Sequence, residues 1–184
     1  MALKKLPWLP LVVAAALLPA QARAQACNVI NGTSGNDMLS GTTGIDCIYA
    51  FAGNDTVYAG AGDDWLYGDL GRDQLYGEDG SDVLDGGGGI DNLSCGNGHD
   101  ICSGGTENDQ VYGGAGQDFL YGNAGDDFVS GQGDADEPFG DDGNDTLQGG
   151  WGNDYLDGGA GTDDVDGGTG TDICVGGETL ANCP

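Results

Sequence analysis

An all-β fold, wound as a flattened parallel solenoid, is what the sequence predicts, and three observations carry the prediction. From Gly32 to Val175 the chain repeats every nine residues without insertion or deletion, in sixteen units. The sixth position of every unit is Asp and the eighth is aliphatic in thirteen, so one polar and one apolar phase are fixed along the run. Gly fills 39 of 184 positions, which disfavours helix and suits closely spaced turns. A strict period of this kind is the mark of stacked repeats, each contacting only its neighbours.

Residues 1–26 differ in character. Lys4 and Lys5 precede an apolar run interrupted by Pro7 and Pro10, and Ala24, Gln25 and Ala26 close it, the layout of a secretory signal peptide. The run is short for a membrane span and no stop-transfer pattern follows, so no transmembrane segment is expected in the mature chain. Loss of the leader removes Lys4, Lys5 and Arg23, leaving one basic residue against 31 acidic ones, a formal charge of −30. Such a surface excludes nucleic acid as a partner, and its self-repulsion favours disorder unless a cation binds.

Residues 27–31 are read as an N-terminal cap and residues 176–184 as a disulfide-bonded C-terminal cap around the repeat at 32–175. Cys27, Cys47, Cys95, Cys102, Cys174 and Cys183 all lie in the exported part, an even set that fits disulfides formed in an oxidising compartment. Six cysteines allow fifteen pairings. The local ones, Cys27–Cys47, Cys95–Cys102 and Cys174–Cys183, are expected.

Within a unit, Gly holds the first position in thirteen cases and the fourth in fourteen. A six-residue Gly-rich turn followed by a three-residue strand with its middle side chain inward is therefore expected. So short a strand needs neighbours. Two units per 18-residue coil give about eight coils, roughly 38 Å of solenoid at ~4.8 Å per strand, with the eighth positions of two sheets facing across a thin core. Two units break the pattern: Glu107 replaces the fourth Gly of unit 104–112, and unit 131–139, GQGDADEPF, has Asp134 there and Pro138 at the core position. An irregular coil is expected at Pro138, which cannot donate to a strand ladder.

The units GDDGNDTLQ, GGWGNDYLD and GGAGQDFLY resemble the GGxGxDxUx nonapeptide of the RTX, or haemolysin-type, calcium-binding repeats, and the sixteen copies cover 144 residues. The resemblance implies a right-handed parallel β-roll with calcium between turns on the same edge, held by carboxylates of position six and backbone carbonyls of the Gly-rich turns. It assigns metal binding to Asp37, Asp46, Asp55, Asp64, Asp73, Asp82, Asp91, Asp100, Asp118, Asp127, Asp145, Asp154, Asp163 and Asp172. Elementary chemistry agrees, because calcium takes six to eight hard oxygen ligands and Gly lets carbonyls turn toward a common centre. About seven gaps on each edge would hold at most roughly fourteen ions, enough to offset most of the formal charge. Gaps at the Glu107 and Asp134 turns are expected to be weaker. One buried aliphatic side chain per nine ordered residues stabilises little, so folding is expected to follow calcium binding, with disorder as the metal-free state.

No catalytic set emerges. A solenoid that cleaves polysaccharide needs a base, and the mature chain offers only Arg72 and His99, both at the variable fifth position. Positions seven and nine should face outward. One sheet then shows Trp65, Phe119 and Tyr155 at position seven and Tyr49, Tyr67, Tyr121 and Phe139 at position nine, while the other is mostly polar. The face through Trp65, Phe119 and Tyr155 reads either as a surface for a cell-surface polymer, a polysaccharide or a second roll, or as cross-strand pairing that steadies the sheet. The expected role is an extracellular structural or adhesive module, with calcium-dependent binding or cleavage of a polysaccharide as the alternative.

Overall fold

The computed structural model describes residues 27–183, and the leader assigned to residues 1–26 lies outside the described residues. Strands are numbered in chain order from β1 (Asn28–Asn31) and β2 (Met38–Ser40) to β17 (Ile173–Val175) and β18 (Thr179–Ala181), and no helix interrupts them among the described residues. Odd-numbered strands form one sheet and even-numbered strands the other. Pairing is parallel with a step of 18 residues, as in Leu75↔Leu93 and Leu93↔Val111. This is the parallel roll that the nine-residue period requires.

Each sheet has nine strands, one more than sixteen units supply, because each cap contributes a strand. Asn28 pairs with Asp46 and Ile30 with Ile48, so β1 is the strand half of a further unit with Asn in the Asp phase. At the other end Val165 pairs with Leu180, a coil shortened to 15 residues. Disulfides join Cys27 to Cys47, Cys95 to Cys102 and Cys174 to Cys183, with Cα separations of 5.7, 6.5 and 5.8 Å. The middle bridge crosses the core, since Cys95 and Cys102 lie in strands of opposite sheets.

Eleven of the eighteen strands run for six or seven residues, as in Gln74–Asp79, and absorb positions one to three of the following unit. Pairing explains the extension: Gly60 opposes Glu78 and Ala61 opposes Asp79 one coil on. The turn shrinks to positions four to six. Position one consequently faces inward, and Ala50, Ala59 and Cys95 are fully buried beside the aliphatic file of Ile48, Val57, Leu66 and Leu75.

Pro138 is accommodated more simply than its chemistry suggests. The strand Glu137–Asp142 is regular, Pro138 is buried, and it pairs with Leu120. Pairing with the next strand, Tyr155–Asp157, is reduced to Phe139↔Asp157. The missing N–H thus thins one ladder without bending the coil.

From unit 50–58 onward the backbone is left-handed at positions two and four, including Phe51 (φ 75°), Glu78 (φ 69°), Glu107 (φ 75°) and Asp134 (φ 72°). At position four the cause is stacking. A Cβ on Gly71 (φ 131°) would overlap the carbonyl oxygen of Gly53, whereas a Cβ on Gly44 would meet nothing within 4 Å. Gly71→Ala is therefore expected to destabilise the calcium-loaded chain by more than ~1 kcal/mol, and Gly44→Ala by less than ~0.5 kcal/mol, in thermal unfolding.

Aromatic rings on the sheet surfaces stack along the roll axis. On the odd-strand sheet Tyr49 lies on Tyr67 at 5.1 Å and Tyr121 on Phe139 at 5.1 Å; on the even-strand sheet Tyr58 lies on Tyr76 at 4.9 Å. Both faces carry such pairs, and the ring faces cover one another, which favours cross-strand stabilisation.

Candidate metal centre

Position six places its Asp where the turn enters the strand, with the side chain directed into the turn. Along both edges of the roll the carboxylates form files that run through the whole repeat. Asp73 Oδ1 accepts from the backbone N–H of Asp55 at 2.8 Å, Asp91 Oδ1 from Asp73 at 2.7 Å, and Asp109 Oδ1 from Asp91 at 2.7 Å. On the opposite edge Asp82 accepts from Asp64, Asp100 from Asp82 and Asp118 from Asp100 at 2.8 to 2.9 Å. One file ends on Glu178, whose Oε2 accepts from the Asp163 N–H at 2.7 Å.

The second carboxylate oxygen is the anomaly. In Asp55 and every ninth residue from it to Asp172, the carboxylate is at most 3% exposed and Oδ2 is buried without a hydrogen-bond partner. A buried anionic oxygen left unpaired is strongly unfavourable, and here the defect recurs in file. Gly stands at position one beside eleven of these fourteen carboxylates, with Ala50, Ala59 and Cys95 in the other three units, and a Cβ on Gly68 would stand 2.5 Å from Asp73 Oδ2 and 2.5 Å from the carbonyl oxygen of Gly86 in the next coil. Carboxylate and carbonyl oxygens thus converge where only hydrogen lies between them. That donor set suits a hard cation such as calcium. No group of three or more His, Cys, Asp or Glu side chains converges among the described residues, so backbone carbonyls must supply much of any coordination shell.

Burial acts on the proton affinity of these groups as well. Desolvation, opposed by the bond from the preceding coil and reinforced by neighbouring carboxylates, pushes Asp82 and Asp109 up to about 8. The same causes push Asp73 and Asp136 up to about 7 and Asp145 up to about 6. Asp91 and Asp118 also rise to about 6, mainly by desolvation, with Arg72 and His99 respectively pulling the other way. The files hold negative charge poorly without a counter-ion.

Twelve of the fourteen sequence-assigned aspartates, Asp55, Asp64, Asp73, Asp82, Asp91, Asp100, Asp118, Asp127, Asp145, Asp154, Asp163 and Asp172, share this environment. Asp109 and Asp136, outside that assignment and with Glu107 and Asp134 in place of the fourth Gly of their turns, occupy it too. Asp37 and Asp46 differ. Asp37 Oδ2 accepts from Thr33 N–H at 2.6 Å and Thr33 Oγ1 at 2.8 Å, and Asp46 Oδ2 from Thr42 N–H at 2.6 Å and Thr42 Oγ1 at 3.0 Å.

Position five, variable in sequence, has one task in nine of the sixteen units. Its side chain accepts the backbone N–H of position five one coil later, as in Asn36 from Asn54 at 2.9 Å and Asp126 from Asn144 at 2.8 Å. His99 Nδ1 accepts the N–H of Gln117 in the same way at 3.0 Å, so this imidazole braces a turn. The common signal is a polar acceptor, visible only once residues 18 apart are aligned.

A family model described as the RTX calcium-binding nonapeptide repeat, in four copies, matches residues 31–66, 58–93, 95–111, 103–138 and 139–177. No curated protein matches the chain.

Proposed function

The chain belongs to the RTX calcium-binding nonapeptide repeat family, and from that premise we propose that it is a secreted structural module whose acidic turns take up many calcium ions and are made rigid by them. The observation that carries this reading is the file of buried, unpaired Oδ2 atoms from Asp55 to Asp172. Bound calcium supplies the positive charge that these oxygens lack. The chain's own part is to hold each carboxylate by an N–H from the preceding coil, keep Gly where a Cβ would intrude, and stack the turns at one spacing. Asp109 and Asp136 belong with the assigned ligands on this reading.

Export is supported by the leader-like residues 1–26 and by three disulfides, which persist in oxidising compartments. An adhesive role rests on the face through Trp65, Phe119 and Tyr155, where Phe119 is 40% exposed and Ile173, paired with Tyr155, 59%. Stacking of the tyrosines on one another leaves few ring faces for a sugar, which favours the structural role over polysaccharide binding.

Ion counting tests the assignment. Equilibrium dialysis of the oxidised chain with radioactive calcium is expected to show on the order of a dozen bound ions. Asp118→Asn keeps an Oδ1 acceptor for the Asp100 N–H but removes the charge, and should lose about two ions, those on either side of its turn. Asp69→Asn, in an exposed turn, should lose none. Equal losses in the two variants would mean diffuse counter-ion condensation instead of sites.

A further inference from the structure

The first coil differs from all that follow, and we infer that it is a seed that stays ordered without metal and on which the calcium-dependent coils assemble. This inference rests on the calcium reading and concerns where that dependence begins.

Four features converge on residues 27–49. Asp46 is fully buried, yet both its oxygens are satisfied: Oδ1 accepts from Asn28 Nδ2 at 2.6 Å, and Oδ2 from the N–H and hydroxyl of Thr42. Among the described residues it is the one aspartate of the buried files with no orphaned oxygen. Asp37 is served in the same way by Thr33.

The backbone of these turns also differs. Thr33, Gly35, Thr42 and Gly44 are not left-handed, whereas positions two and four are left-handed in every later unit. Each Thr hydroxyl instead closes its own turn, with Gly35 N–H and Gly44 N–H donating to it at 3.2 Å. The donors that a cation would replace are built into the chain here.

Covalent and neutral links complete the coil. Cys27–Cys47 ties β1 to the strand Asp46–Tyr49, and Asn28 carries no charge where other units carry Asp. In a one-dimensional stack the cost of the first ordered coil falls once, and later coils add to an existing edge. A coil whose carboxylates need no ion removes that cost from the metal-dependent part. Thr33 and Thr42 are the positioning residues of this seed.

Hydrogen exchange of the full oxidised chain, with and without chelator, tests it. In chelator, amides donating within the seed, Asn28, Gly32, Thr33 and Thr42, should exchange at least about tenfold more slowly than Thr56, Gln74 and Gln110, whose protection should appear only with calcium. Thr33→Ala with Thr42→Ala should abolish the chelator-resistant protection and slow calcium-triggered folding about tenfold, while leaving the number of ions bound unchanged. The inference is overturned if the seed amides exchange as freely in chelator as the others, or if the double variant folds at the wild-type rate. Protection throughout the chain in chelator would instead refute the calcium reading itself.

Discussion

Chelation is expected to convert the chain beyond its first coil from strand to disorder, with the far-ultraviolet strand signal returning cooperatively at millimolar calcium and not with magnesium. Fourteen buried oxygens without partners oppose the metal-free roll, and the residues that bear them lie in every later unit. The core opposing this penalty is one aliphatic residue and one Gly, Ala or Cys per unit, a layer too thin to hold the files of charge together. Cooperativity follows because each carboxylate is held by the N–H of the preceding coil, so an ion that orders one turn prepares the next. Magnesium requires near-ideal octahedral geometry and keeps its waters, which a cleft lined by fixed carbonyls does not accommodate. A strand-rich spectrum indifferent to chelator would show that disulfides and core suffice.

Acid is expected to replace calcium. The buried aspartates have folded-state pKa values above the ordinary 3.8: about 8 for Asp82 and Asp109, about 7 for Asp73 and Asp136, about 6 for Asp145. A group whose pKa is raised by folding stabilises the folded state fully below its unfolded value, and that contribution is lost as pH rises through the folded value. The metal-free chain should therefore gain strand signal near pH 4 and lose it between about pH 6 and 8, the window set by these groups. With calcium present the sign reverses, since protons compete for the same oxygens and the calcium midpoint should rise as pH falls. Circular dichroism of the metal-stripped chain across this range decides the matter, with sedimentation to separate folding from association near the pI of 4.1. Disorder at pH 4 in the absence of metal would contradict the account.

Much of this arrangement is legible in the sequence because stacking turns a linear period into files. Asp at position six and an aliphatic residue at position eight announce the carboxylate files and the core directly. What escapes a linear reading is set by the coil above or below. Phe51 and Glu78 are poor candidates for left-handed backbone by local preference, yet adopt it because position two is clamped between neighbours. Position five looks random as Asn, Asp, Ser or His until its partner 18 residues on is known. Asn28 lies outside the sixteen units, and although it falls nine residues before Asp37, its bond to Asp46 appears only once residues 18 apart are paired. Thr33 and Thr42 resemble ordinary turn residues, and their hydrogen bonds to Asp37 and Asp46 set the first coil apart.

The cross-core link between Cys95 and Cys102 has a mechanical meaning. A roll pulled from its two ends peels coil by coil, and each regular coil of 18 residues lengthens the tether by about 60 Å when fully extended. The bridge closes a loop of sequence separation seven within one coil, so between the two end bridges that coil yields a shorter step under tension until the disulfide is reduced. Halfway along an otherwise uniform spring, the chain carries a graduation mark.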